Sequence, residues 1–170
     1  RSCAHLLNID KTLFVELGAD RVADAVAAKA IFGAPVVVVD FGTATNMEVI
    51  DKDGVFVGGV IAPGVESSMR SLMSRAALLR AVELEDPGVA IGRDSSEAIQ
   101  IGVVSGEAAR VDGLVERIQA ELGYKTKVVA TGGLAHRIAP LSHTITEVDV
   151  ELTLQGLRLI YNELKKCDNQ

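Results

Sequence analysis

The stretch VVVVDFGTAT, residues 36–45, decides the architecture. Four consecutive valines favour a strand, because β-branched side chains pack well on a pleated surface. With no polar residue alternating among them, both faces of that strand are buried, as at the centre of a helix-covered sheet. The run ends on Asp40, and Gly42 with Thr43 and Thr45 turns the chain. A carboxylate at the carboxyl end of a central strand lies where ligands bind in open α/β sheets. Gly42 lets the backbone approach a phosphate, Thr43 and Thr45 add hydroxyl donors, and Asp40 can hold a cation or a water beside it. An ordinary hairpin bend accounts for the same residues, so the stretch alone leaves both readings open.

Downstream, TNMEVI (45–50) and VFVGGVIA (55–62) read as two more strands joined by Asp51-Lys52-Asp53-Gly54. Asp-Gly between β-branched runs is a strong hairpin signal. After Pro63-Gly64 the period becomes helical, with Val65, Met69, Leu72, Met73, Ala76 and Leu79 on one face. Glu83 to Ser96 is polar and irregular. Residues 97–122 read as helix, interrupted near Gly102–Gly106 and stopped at Gly123. Lys127–Ala130 is a short strand, Thr131-Gly132-Gly133 a turn, and a helix starts near Leu134. Ile145–Val148 is a further strand. A last helix spans 150–165 with Leu152, Leu154, Leu157, Leu159 and Ile160 on its apolar face. Upstream, residues 18–31 form an Ala-rich helix with Val22, Val26, Ala27 and Ala30 facing inward, stopped by Gly33, Ala34 and Pro35. From Val36 on, three hairpin-linked strands followed by alternating helix and strand predict an α/β protein, a mixed sheet covered by helices.

The bulk properties narrow the function classes. The 170 residues suffice for one domain or two small lobes, and a 48% hydrophobic share with 4% aromatics and no Trp implies an aliphatic core. A net charge of −6 with scattered Lys and Arg argues against a nucleic-acid partner. No apolar run is long enough to span a bilayer, and RSCAHLLNIDK has no signal-like apolar block. Cys3 and Cys167 share no ligand spacing and read as reduced bystanders in a cytoplasmic protein. The chain does not begin with Met, and we expect the interior of a longer reading frame or a processed chain.

Two further glycine stretches carry candidate chemistry. Backbone amides of Thr131-Gly132-Gly133 at a helix start favour anions, and paired glycines admit a flat base or ribose; a plain strand-to-helix connection is the alternative. Gly18-Ala19-Asp20-Arg21 sets a carboxylate beside a guanidinium. They are either a helix cap and a solvated charge or a base for a substrate hydroxyl and a ligand for an anionic group. Neither the P-loop nor the Rossmann fingerprint occurs. Asp51 and Asp53 read as turn residues, His5, His136 and His143 as surface or capping residues, and Met69 with Met73 as core or subunit interface.

Taken in order, GADRVADAVAA (18–28), VVVVDFGTAT (36–45), GGVIAPGVESSM (58–69), IGRDSSEAIQIG (91–102), VDGLVERI (111–118) and VVATGGLA (128–135) resemble the type III pantothenate kinases of the acetate-kinase/actin-like phosphotransferase superfamily. The resemblance implies RNase H-like lobes with ATP in the cleft between them: residues 1–33 as a remnant of the N-terminal lobe and 34–170 as the C-terminal lobe. It implies ATP-dependent phosphorylation of pantothenate, the first step of coenzyme A biosynthesis, with Mg2+ and a potassium or ammonium ion. Asp40 matches the monovalent-cation ligand, and Gly42 and Thr43 the second phosphate loop. Thr131, Gly132 and Gly133 match the adenosine side. Gly18, Ala19, Asp20 and Arg21 match the pantothenate segment, with Asp20 as proton acceptor, and Ser95 stands where a substrate-contacting Thr is usual. A homodimer whose interface helps build the pantothenate pocket is implied as well. The chain departs from the family in lacking its D-x-G-N-T first phosphate loop, in an IDKTLFVEL segment (9–17) without Tyr, and in Asn46 and Ser95 for Thr. Without that loop we expect no turnover by this chain alone. A non-catalytic dimeric accessory protein is the competing expectation, and a sugar or acetate kinase a weaker one, since G-A-D-R is not their signature.

Overall fold

A computed structural model describes residues 6–10, 17–75 and 82–168. In chain order they form β1 (Asn8–Ile9), α1 (Ala19–Phe32), β2 (Val36–Phe41), β3 (Ala44–Ile50), β4 (Val55–Pro63), α2 (Val65–Arg75), α3 (Ser95–Gln100), a π-helical turn (Ile101–Ser105), α4 (Gly106–Leu122), β5 (Lys127–Thr131), α5 (Ala135–Ile138), a 3-10 turn (Ala139–Leu141), β6 (Glu147–Val148) and α6 (Leu152–Asp168).

The six strands make one mixed sheet ordered β1-β4-β3-β2-β5-β6. β2, β3 and β4 are consecutive antiparallel neighbours, while β5 pairs parallel to β2 and β6 parallel to β5. The valine strand therefore sits inside the sheet. Its side chains alternate: Val37, Val39 and Phe41 pack with Val104, Val111 and Val115 around α4, whereas Val36 and Val38 pack with Ala25, Val26 and Leu152 of α1 and α6. Helices on both faces are why no polar residue interrupts the run. Each valine so buried favours folding by roughly 1.5–3 kcal/mol relative to an exposed one. Asp51 closes the first predicted hairpin, its carboxylate accepting the Asp53 and Val55 amides at 2.9 Å.

Several local expectations need correction. The interruption of the long helix is the π turn, which re-aims the chain between α3 and α4 without stopping it. Ala30 is exposed, and so are Leu72, Leu154 and Leu157, because α1 buries Ala23 through Ala28 and α6 turns Leu152 inward instead. The last strand is shorter than predicted. β1, which escaped pattern reading, pairs parallel to β4 through only two residues. Cys3, His5, Ala76 and Leu79, with the side chain of Cys167, lie outside the described residues.

Candidate active site

Alternation along β2 sends Phe41 to the α4 side and Asp40 to the α1 side. Register sets Asp40 beside Asn46 of β3 and Thr131 of β5. A carboxylate, a carboxamide and a hydroxyl thus form one row across three strands. Asn46 Oδ1 and Thr131 Oγ1 are buried with no hydrogen-bond partner. Buried polar groups are nearly always paired, so two orphans flanking a carboxylate mark a place built to receive something. Gly132 closes one side. With φ of +90°, it lies so close that a Cβ there would run into the Asp40 carboxylate and approach the Phe41 carbonyl oxygen to 2.7 Å.

The amino end of α1 approaches the same row. Asp20 is exposed, and its carboxylate accepts the Arg21 amide at 2.9 Å. Burial pushes the Asp40 carboxyl above its ordinary range, and the nearby Asp20 charge raises it further. Arg21 reaches back over β3, where its Nε donates to Glu48 Oε1 at 2.7 Å. One turn on, Asp24 is buried and accepts the Thr153 hydroxyl of α6 at 2.6 Å. Burial lifts Asp24 to about 6, the Thr153 bond opposing and the Asp40 and Asp20 charges adding to the rise. Burial likewise pushes Glu48 up to about 8 against the pull of Arg21. Four acids and one guanidinium converge here.

The structure brings together Asp20, Arg21, Asp40, Thr131 and Gly132 from the sequence-derived candidates. Gly18 and Ala19 lead into α1, and a side chain on Gly18 would meet the Asp20 carboxylate. Gly42 and Thr43 form the exposed turn beside Asp40; the Gly42 amide donates to Ala44 O at 3.0 Å, and Ser67 of α2 braces the Thr43 carbonyl at 2.9 Å. Gly133 is exposed beyond Gly132. Ser95 opens α3, where the Asp94 carboxylate caps the Glu97 amide at 2.9 Å. Among the described residues no hydrogen bond joins Ser95 to the cluster. Thr45 is a correction to the phosphate-donor reading: it faces the α4 side, and its hydroxyl donates to Glu107 at 2.7 Å.

Sequence reading missed Asp24 and Glu48. The one available signal was a lone Glu set between Met47 and the apolar pair Val49 and Ile50. Among the described residues, His143 bridges Asp112 and Glu116 of α4 at 2.8 and 3.0 Å, away from the Asp40 row. Among the described residues no group of three or more His, Cys, Asp and Glu is placed to hold a metal ion. The oxygen row of Asp40, Asn46 and Thr131 has instead the donor chemistry of a hard cation bound with help from a ligand's own oxygens.

The family model described as type III pantothenate kinase matches residues 2–117. The chain belongs to that family. Its relatives include proteins named type III pantothenate kinase from Thermomicrobium roseum, 49% identical over 89% of this chain and 58% of that protein, and from Roseiflexus sp., 52% identical over 86% and 57%. The relative from Frankia alni is 49% identical over 87% and 59%. The chain thus spans less than two thirds of the length of these curated family members. Among solved structures, a protein from Campylobacter jejuni described as a "conserved putative Baf family transcriptional activator" superposes with a TM-score of 0.65 at 24% identity, covering 91% of this chain and 68% of that one. The activator of 2-hydroxyisocaproyl-CoA dehydratase from Clostridium difficile, solved with bound ADPNP, gives 0.56 at 16%, covering 88% and 68%. At these identities the likeness is one of fold, the actin-like, RNase H-like sheet expected of the family. No helix among the described residues is long and apolar enough to cross a membrane.

Proposed function

We propose that this chain supplies the C-terminal lobe, and the substrate helix leading into it, of an ATP-dependent kinase that phosphorylates pantothenate in the cytoplasm. One observation carries the reading: at the end of the central strand Asp40 stands in one row with the unpartnered buried oxygens of Asn46 and Thr131, beneath the helix that opens with Asp20 and whose Arg21 bonds Glu48 of β3. In this reading β1 and α1 pack on the same sheet and in the same core as the segments after Val36, and the nucleotide cleft opens at Asp40. Asp20 orients the primary hydroxyl of pantothenate and takes its proton. Arg21 faces the substrate's anionic group, with Gly18, Ala19 and Ser95 lining the same pocket. The exposed turn at Gly42 and Thr43 holds phosphate oxygens, and Thr131 to Gly133 bound the adenosine side. Asp40, with Asn46 and Thr131, would hold a potassium or ammonium ion, and Mg2+ would accompany the nucleotide. Bound cations neutralise charge on the transferring phosphoryl group. A homodimer completes the substrate pocket.

The test is pantothenate-dependent release of ADP by the full-length protein with Mg2+ and potassium present. Replacing Asp20 by Asn should lower kcat by about 100-fold or more, the usual contribution of a positioned base. An unchanged rate in Asp20→Asn overturns the catalytic assignment. Nucleotide binding with no turnover in the unaltered protein would favour a dimeric accessory role instead.

A further inference from the structure

We infer that Glu48 is a positioning residue for substrate charge selection: it fixes the Arg21 guanidinium so that one of its nitrogens is left for an anionic ligand. This rests on the pantothenate kinase reading and deepens it. Glu48 lies mid-strand in β3, opposite Gly59 of β4, and is fully buried. Its Oε1 takes Arg21 Nε at 2.7 Å, while Arg21 Nη2 reaches the Met47 carbonyl oxygen at 3.5 Å. Gly59 makes room for this pose. A Cβ there would lie 2.9 Å from Arg21 Nη2 and collide with the Met47 carbonyl. Two of the three guanidinium nitrogens are thereby tied to β3, and Nη1 makes no hydrogen bond to any described residue. A guanidinium is a planar fork whose value in recognition depends on its orientation being set beforehand.

A purely structural account of Glu48 fits poorly. Its Oε2 is buried without a hydrogen-bond partner, and a buried ion pair is weak as a source of stability compared with an apolar side chain of similar volume. Methionine or leucine would continue the apolar face formed by Val36, Val38 and Ile50. What the carboxylate supplies, and they would not, is a fixed acceptor for Nε.

The experiment compares pantothenate with its uncharged alcohol analogue, in which a hydroxymethyl group replaces the carboxylate. For the full-length protein, Glu48→Leu, which leaves Arg21 Nε without its acceptor, should raise KM for pantothenate by about tenfold with kcat within about twofold, the loss expected of one charge-assisted hydrogen bond. KM for the alcohol should not move, so discrimination between the two falls by the same factor. Arg21→Lys, which keeps the cation but gives up Nε, should lose the same discrimination, and Glu48→Leu added to it should cost nothing more. If Glu48→Leu leaves discrimination intact, or lowers kcat equally for both substrates, the inference fails. Should that variant not fold, retained discrimination in Arg21→Lys overturns it alone. If the unaltered protein turns over neither compound, it is the kinase reading that falls, and this inference with it.

Discussion

Two buried carboxylate clusters in this molecule are opposites. On α4, Asp112 accepts the Ser142 hydroxyl at 2.5 Å, the Thr144 hydroxyl at 2.6 Å, and the Thr144 and His143 amides at 3.1 and 3.2 Å. Burial alone would raise its carboxyl, but these bonds hold it below the ordinary range. At the other site, Asp40, Asp24 and Glu48 are all raised, and orphaned oxygens of Asn46, Glu48 and Thr131 surround them. The first cluster is closed by its own chain and ties the segment before β6 to α4. The second is left short of donors and crowded with like charge, at a cost in stability. Incomplete satisfaction of this kind, on rigid strands, is what makes the second cluster the candidate ligand site and the first a structural one.

The difference can be tested by breaking each cluster. Asp112→Ala should destabilise the fold by about 2–4 kcal/mol at pH 7 in equilibrium unfolding, since four donors lose a charged acceptor together. Because the folded carboxyl sits below its unfolded value of 3.8, its contribution is present above that value and disappears as pH falls through the folded one. A loss smaller than that of an ordinary surface substitution would mean the cluster is not a staple.

Asp24→Asn should act in the opposite direction. The amide oxygen still accepts the Thr153 hydroxyl, but the desolvated charge is gone. The folded carboxyl titrates near 6 against 3.8 unfolded, so the acid form is favoured in the fold and stability is lost as pH rises through that window. The variant should therefore gain on the order of 1–3 kcal/mol above pH 7 and nothing below pH 4. Destabilisation at every pH would show that Asp24 is a structural acid like Asp112.

The smallest effect concerns His143, exposed on the rim of the closed cluster. The Glu116 hydrogen bond and the Asp112 charge raise its ring. Its contribution is complete below the unfolded value of 6.5 and vanishes as pH rises through the folded one. His143→Gln should lower Tm slightly at pH 6 and leave it unchanged at pH 9. Equal losses at both would point to packing instead of charge.

Much of this organisation was legible in the residues. The valine run, the Asp-Gly hairpin and the glycine stops carry their own backbone preferences, so β2, the first hairpin and the end of α4 fall where local chemistry puts them. The six ordered motifs carried the family, and G-A-D-R and D-F-G-T pointed to Asp20, Arg21 and Asp40. Asp24 was hidden because an acid in an Ala-rich helix reads as solvent-facing until α6 is laid over it. Glu48 was hidden because a single Glu in a strand reads as its wet face. Thr45 was misread because hydroxyls two residues apart looked equivalent, although Thr43 lies in the turn and Thr45 in a strand whose alternation turns it away from Asp40.

By itself the sequence determined the central strands β2 to β5 and the long helices, because hydrophobic periodicity and turn residues act over a few neighbours; β1, two residues long, left no such pattern. It also placed an acid or hydroxyl residue beside each of three glycine turns. Only the tertiary structure decided which acids share one environment. Burial, like-charge repulsion and an unpaired oxygen depend on what the sheet register and helix packing bring within a few ångströms, and segments distant in the chain carry no local mark of that meeting.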